Sequence, residues 1–225
     1  RQRWGQPDAF VGVVHRLDTG VSGLMVFART PGAAAALSRQ ITQSQNAYAV
    51  QDGRAEGEPE VPQFIKQYRA VIAGGPDEAL PAEGTLRDWL FKDSRRGRVF
   101  PVSRPRKGVR EAVLEYRIVR QTQDACLAEI TLHTGRTHQI RVQFAHAGFP
   151  LLGDTKYGTA ALKEVMPAQK YRGVALCAYS LELVHPVSGK KMGFRVVPKN
   201  PAFSGFAMEE LKKLTENETG ISKRG

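Results

Sequence analysis

Apolar residues in this chain recur mostly at alternate positions, and the segments where they do so predict a strand-rich protein. Phe10–Val14 and Leu24–Ala28 are short apolar runs with a polar stretch between them, and both predict strands. Phe64–Ala73 alternates so that Tyr68 shares a face with Phe64, Lys66, Ala70 and Ile72. Ala112–Val119 places Ala112, Leu114, Tyr116 and Ile118 on one face, with Glu115 and Arg117 on the other. Leu127–Leu132 alternates again, and the two segments predict half-buried antiparallel neighbours. Val174–Val184 and Gly193–Val197 predict further strands around a turn at His185-Pro186-Val187-Ser188-Gly189-Lys190.

Elsewhere the period lengthens. Thr30 suits a helix N-cap and Pro31 the first helical position, with good helix formers over Ala33–Gln43. In Thr137–Gly148, Ile140, Phe144 and Ala147 fall at helical spacing, and Gly148 followed by Pro150 ends the helix. Phe203–Leu214 predicts a terminal helix, Thr215–Gly225 a frayed polar tail, and Gln51–Pro62 a loop rich in Gly, Pro and Glu. With no internal repeat and no shift in composition, the expectation is one α+β domain over residues 1–225.

Charge narrows the class. The 225 residues carry 33 Lys and Arg against 22 Asp and Glu, a net charge of +11, while 41% hydrophobic residues suffice for a substantial core. Such an excess points to nucleic acid or an anionic membrane surface. No apolar run is long enough to span a bilayer, and the opening Arg1-Gln2-Arg3-Trp4-Gly5 is not a signal peptide. Nucleic acid is therefore the expected partner, no membrane role is expected, and the cytoplasm is the expected compartment. The most basic stretch, Lys92–Arg110, sets Lys92, Arg95, Arg96, Arg98, Arg104, Arg106, Lys107 and Arg110 against Asp93, with Gly and Pro favouring a loop or hairpin. Cys126 and Cys177 lie in apolar contexts and read as reduced, buried thiols, with a disulfide left open.

Two polar motifs stand in apolar sequence: His15-Arg16-Leu17-Asp18-Thr19-Gly20-Val21-Ser22-Gly23-Leu24 and Thr134-Gly135-Arg136-Thr137-His138-Gln139-Ile140-Arg141-Val142. The first holds a carboxylate between apolar runs, where burial is costly without a cation; the second offers cations. Asp-Thr-Gly also suits an ordinary turn. It matches the aspartic-protease signature too, but that chemistry needs two carboxylates sharing a proton, and no second Asp-Thr/Ser-Gly occurs. His133, His138 and His146 lie close in sequence without a zinc-binding pattern, so no metal is expected. Phosphate-loop, dinucleotide and Gly-x-Ser-x-Gly signatures are absent, so no cofactor is expected. Taken singly, Arg141 reads as a surface arginine and Tyr68 as a core aromatic.

Taken together, these segments resemble the RluA-type pseudouridine synthases. His15-Arg16-Leu17-Asp18 with Ser22-Gly23-Leu24 is similar to the family's catalytic motif, and Lys66-x-Tyr68-x-Ala70-Val71-x-x-Gly74 to its tyrosine motif. Gly135-Arg136-Thr137-His138-Gln139-Ile140-Arg141-Val142, with Ala145-His146-x-Gly148-x-Pro150-x-x-Gly153-Asp154-x-x-Tyr157-Gly158, resembles its third motif, and Leu183-x-His185-Pro186-x-x-Gly189 a closing segment. The matches follow family order over roughly residues 11–197. The resemblance implies a mainly antiparallel, mixed central sheet with flanking helices and a basic RNA-binding cleft. It also implies isomerisation of uridine in ribosomal or transfer RNA, with base flipping and without cofactor or metal. Asp18 would be the essential carboxylate, Arg141 the cation that keeps it ionised, and Tyr68 the stacking and proton-transfer group. His15, Arg16, Arg136, His138 and Gln139 would contact substrate RNA, and Arg95, Arg96, Arg98, Arg106 and Lys107 would track its backbone. The family commonly has Thr where this chain has Val21, and a preceding strand with a Lys-Pro pair is not present, only Trp4–Asp8. The alternative is a non-catalytic RNA-binding module of the same fold, against which the joint presence of Asp18, Tyr68 and Arg141 argues. A monomer is expected.

Overall fold

Segments that alternate in sequence pair with one another in space. A computed structural model describes residues 9–50, 64–74, 80–159 and 173–206. Expectations for Trp4–Asp8, the Gln51–Pro62 loop, residues 207–214 and the 215–225 tail lie outside the described residues. The elements are β1 (Gly12–Val13), β2 (Ser22–Gly23), β3 (Phe27–Ala28), α1 (Pro31–Val50), β4 (Ile65–Ala73), β5 (Glu83–Asp93), β6 (Arg98–Val102), β7 (Val109–Gln121), β8 (Ala125–Leu132), α2 (Gln139–His146), β9 (Leu176–Val184), β10 (Lys191–Arg195) and a closing 3-10 turn at Pro201–Gly205. An eight-stranded sheet runs β10-β9-β4-β8-β7-β5-β6, with β2 laid against β9. Every pairing along that path is antiparallel, and β2·β9 is parallel.

The pleat gives the sheet two faces. On one, Tyr68, Ala70, Ile72, Leu114, Tyr116, Ala128 and Ile130 pack with Ile140 and Phe144 of α2. On the other, Val71, Leu127, Cys177 and Tyr179 pack under Phe203 and Phe206. A third cluster seats α1 through Leu37 against Phe64, Leu181 and Leu183. Thr30 caps α1 as expected, its Oγ1 accepting the Ala33 amide at 3.2 Å. Cys126 and Cys177 are both buried and neither forms a disulfide.

The expected strands at Phe10–Val14 and Leu24–Ala28 shrink to β1 and β3, which among the described residues pair only with each other. Between them the chain turns back at Asp18, whose carbonyl accepts the Val21 amide at 3.0 Å, and then inserts Ser22-Gly23 beside Cys177-Ala178. Leu24 closes the insertion by donating to the Ala178 carbonyl at 2.9 Å. Gly23 is required there. Its φ is +127°, and a Cβ would overlap the Ala178 backbone. Gly23→Ala is expected to destabilise the protein by about 2 kcal/mol or more, read as a lower urea midpoint. An unchanged midpoint would show that the β2 insertion does not hold the loop.

Candidate active site

The Asp18 loop lies over the centre of the sheet. Leu17 and Val21 point down into the cluster around Tyr68 and Ile140, so the half-buried Asp18 is held between two apolar anchors. Val21, where the family commonly has Thr, thus contributes packing in place of a hydroxyl. Tyr68 is 7% exposed, and burial, then the Asp18 charge, push its phenol well above the ordinary range. Its hydroxyl therefore stays protonated at neutral pH. Asp18 is also within electrostatic reach of Arg141 and His138. The structure thus brings together Asp18, Tyr68, His138 and Arg141 from a turn, a strand and a helix far apart in sequence.

Arg141 departs from expectation in its partner. Its Nε donates to Asp154 Oδ2 at 2.7 Å and its Nη2 to Oδ1 at 2.8 Å, a two-pronged pair with both side chains buried. Among the described residues Asp18 makes no ion pair within 4.0 Å, so Arg141 reaches it through its field and not by direct pairing. Burial opposes the Arg141 charge, but the hydrogen bonds and charge of Asp154, followed by the charge of Asp18, hold its pKa above the ordinary value. Burial likewise opposes the Asp154 charge. Arg141, with the Tyr157 and Lys156 amides, outweighs it and holds that carboxyl below its usual range. The Gly153-Asp154 pair belonged to the third motif, yet nothing in one sequence distinguished it from a turn.

His138 begins α2 in the left-handed region, φ 54°, the one non-glycine residue among those described to do so. This is why the helix starts at Gln139, two residues later than its period predicts. His138 Nδ1 lies 2.8 Å from the Tyr157 hydroxyl, which also accepts the Val99 amide at 3.0 Å. Burial lowers the His138 pKa, with Asp18 acting against it. The Tyr157 ring lies beneath two guanidinium groups, Arg98 at 5.0 Å and Arg141 at 5.2 Å. Lys156 donates to the Gly97 carbonyl at 2.9 Å. The Asp154–Tyr157 turn therefore joins Arg141 to the β5–β6 hairpin.

That hairpin and the following β6–β7 connection carry the basic cluster. Asp93 Oδ1 accepts the Arg95 and Arg96 amides at 3.0 and 3.1 Å, closing the turn and leaving both side chains exposed. Arg98, Arg106 and Lys107 are exposed too, with Arg106 lying over Phe91 at 5.4 Å. Arg16 is exposed beside Asp18. Arg136 is half-buried; its Nε donates to the Glu111 carbonyl at 2.9 Å, and burial, then Arg110, lower its pKa.

Two expected RNA contacts are turned inward. Gln139 is 3% exposed, and its amide is used within the protein. Its Oε1 accepts from Thr134 at 2.7 Å and the Arg136 amide at 3.0 Å, while Nε2 donates to Val113 and Gln143, each at 3.1 Å. With no donor or acceptor left over, Gln139 braces the third motif from within. His15 stacks edge-on against Phe64, and its Nε2 accepts the Val26 amide at 3.1 Å, tying the Asp18 loop to β3.

A cavity of about 400 Å³ lies on the other face of the sheet, lined by Gln67, Thr85, Glu83, Glu115, Arg117 and Glu129 among others. Asp18 is not among its lining residues, and the carboxylates of Glu83, Glu115 and Glu129 give it a charge that repels a polyanion. Among the described residues no group of His, Cys, Asp and Glu is arranged to hold a metal ion, and no helix is long and apolar enough to cross a membrane.

A family model described as RNA pseudouridylate synthase matches residues 6–146. The chain belongs to that family. Ribosomal large subunit pseudouridine synthase D of Zymomonas mobilis is 32% identical over 185 residues, 81% of this chain and 51% of that protein. The Vibrio cholerae protein of the same name is 30% identical over 217 residues, 92% of this chain and 59% of that one. The Xanthomonas campestris protein is 36% identical over 187 residues, 80% and 49% of the respective chains. The chain thus spans about half the length of these curated relatives. Among solved structures, human RNA pseudouridylate synthase domain containing 1 superposes with a TM-score of 0.62 at 20% identity, covering 84% of this chain and 69% of that one. The matching fold in this pseudouridylate synthase domain is α+β, with the expected large, mainly antiparallel sheet.

Proposed function

We propose that this chain isomerises uridine to pseudouridine in RNA, with Asp18 as the essential carboxylate. The observation that carries the reading is the convergence of Asp18, Tyr68, His138 and Arg141, joined through Tyr157 and Lys156 to an exposed basic hairpin. In the reaction the bond from C1′ to N1 breaks, the uracil turns, and C1′ bonds to C5; the C5 proton leaves and N1 gains one. An ionised Asp18 acts as nucleophile or base. Tyr68, kept protonated, forms the floor against the base and can pass a proton. Arg141, fixed by Asp154, holds positive charge near the carboxylate without neutralising it in a direct pair. His138, set in place by Tyr157, faces the same site.

A uridine in folded RNA must leave its stack to reach Asp18, at a cost of a few kcal/mol, roughly. Arg16, exposed beside Asp18, is placed to fill the gap or hold a phosphate. Arg95, Arg96, Arg98, Arg106, Lys107 and Arg136 supply the sequence-independent attraction, which weakens with salt. The relatives named for the ribosomal large subunit favour ribosomal over transfer RNA. The chain acts as one catalytic unit, a monomer in the cytoplasm, without metal or cofactor.

The test is a pseudouridine map of unmodified bacterial large-subunit ribosomal RNA incubated with the protein. New pseudouridine at discrete sites is the expected result. None, from folded protein that binds the RNA, would overturn the reading in favour of a binding module.

A further inference from the structure

Lys66 has no part in the chemistry above, and its surroundings are unusual for a lysine. It precedes Tyr68 by two positions on the same face of β4 and is half-buried. Burial pulls its ammonium below the ordinary lysine value. Among the described residues no carboxylate lies within 4.0 Å of it. A second donor stands beside it. Lys66 Nζ and Gln45 Nε2 each stand 3.4 Å from the point where a Cβ on Gly135 would lie, and Gly135 is exposed. His15 is in electrostatic reach, and burial, then Lys66, lower its pKa to about 4, so it is neutral at neutral pH. Its Nε2 accepts the Val26 amide, which leaves its one proton on Nδ1, a buried atom with no partner among the described residues.

Lys66 Nζ and Gln45 Nε2 thus converge at the start of the third motif, with no carboxylate within 4.0 Å of the lysine among the described residues. Burying an unpaired ammonium is costly, and a bound anion would relieve that cost. Gly135 does not adopt a left-handed φ, so its contribution is space: a side chain there would fill the opening through which Lys66 and Gln45 are reached.

We propose that Lys66 and Gln45, converging at Gly135, form an anion subsite for a backbone phosphate of the substrate RNA. The proposal rests on the reading of the chain as an RNA-modifying enzyme. Such a contact positions the strand without reading its bases.

The experiment compares wild type, Lys66→Met and Gly135→Ala by fluorescence anisotropy with an unmodified transcript of bacterial large-subunit ribosomal RNA, over a potassium chloride series. Thermal melting of each protein accompanies it. Both variants are expected to bind about tenfold more weakly while melting no lower than wild type. Lys66→Met should also reduce the slope of log affinity against log salt by about one. Unchanged affinity in both variants, or a Lys66→Met protein that loses stability but keeps its affinity and slope, would overturn the subsite. If Lys66→Met does not fold, Gly135→Ala decides alone, since it keeps every charge. Failure of the wild type to make pseudouridine, with both variants weakened in binding, would end the enzymatic reading and leave the subsite standing. Pseudouridine made by a wild type whose variants bind equally well would end only the subsite.

Discussion

Asp18→Asn is expected to abolish pseudouridine formation, lowering the rate by about 10⁴-fold or more, while the protein folds and binds RNA as before. The expectation follows from how Asp18 is held. Its backbone, not its carboxylate, closes the turn to Val21, and Leu17 and Val21 anchor the loop on either side. The carboxylate makes no ion pair within 4.0 Å among the described residues, so an amide of the same shape leaves no cation unpaired. Asn is also at home in such a turn. The change in stability should therefore stay within about 1 kcal/mol. RNA affinity should hold or rise slightly, because a negative charge beneath a polyanion is removed. Single-turnover formation of pseudouridine, urea unfolding and RNA binding together check the three parts. A variant that retains more than about a hundredth of wild-type activity would remove Asp18 from the chemistry, since a nucleophile or base contributes at least about a hundredfold.

The sheet was legible where one face is buried and the other wet. Ala112, Leu114 and Tyr116 against Glu115 and Arg117 predicted β7, and the same kind of alternation put Tyr68 on a face with Ala70 and Ile72, the face that packs with α2. β5 was not legible, because its apolar residues fall on both faces, Leu86 and Leu90 on one and Trp89 and Phe91 on the other. Nor was β2: two residues carry no period, and their pairing depends on Gly23 approaching the Ala178 backbone from a distant part of the chain. Of the site, Asp18, Tyr68 and Arg141 stood out because their motifs resemble a family's, not because spacing revealed their convergence. Gln139 shows the converse. A polar residue in a polar motif reads as a contact until the fold shows its amide fully used inside. Asp154 and Tyr157 were visible as letters of the third motif, but their roles depend on Arg141 and His138 lying across a turn from them.

Asp154→Asn is expected to cost about 3–5 kcal/mol of stability, because it leaves the Arg141 charge buried and uncompensated. The amide also places an NH₂ group among donors: Oδ1 of Asp154 accepts not only Arg141 but the Lys156 and Tyr157 amides, each at 3.0 Å. The pH dependence gives an independent signature. The Asp154 carboxyl titrates below its usual range in the folded protein. Its contribution is therefore fully present above the unfolded carboxylate pKa of about 4, and is lost as pH falls from there through the depressed folded value. Arg141 stays charged throughout. Urea midpoints measured from about pH 7 down to about pH 3 should fall steeply at the acid end for wild type and less steeply for Asp154→Asn. Activity should fall as well, even in cold solution where the variant remains folded, because Asp154 acts by fixing the guanidinium whose field reaches Asp18. Here kcat should drop while the affinity for RNA, set by the hairpin arginines, changes little. A variant as stable as wild type with the same acid slope would show that the buried pair does not organise the site.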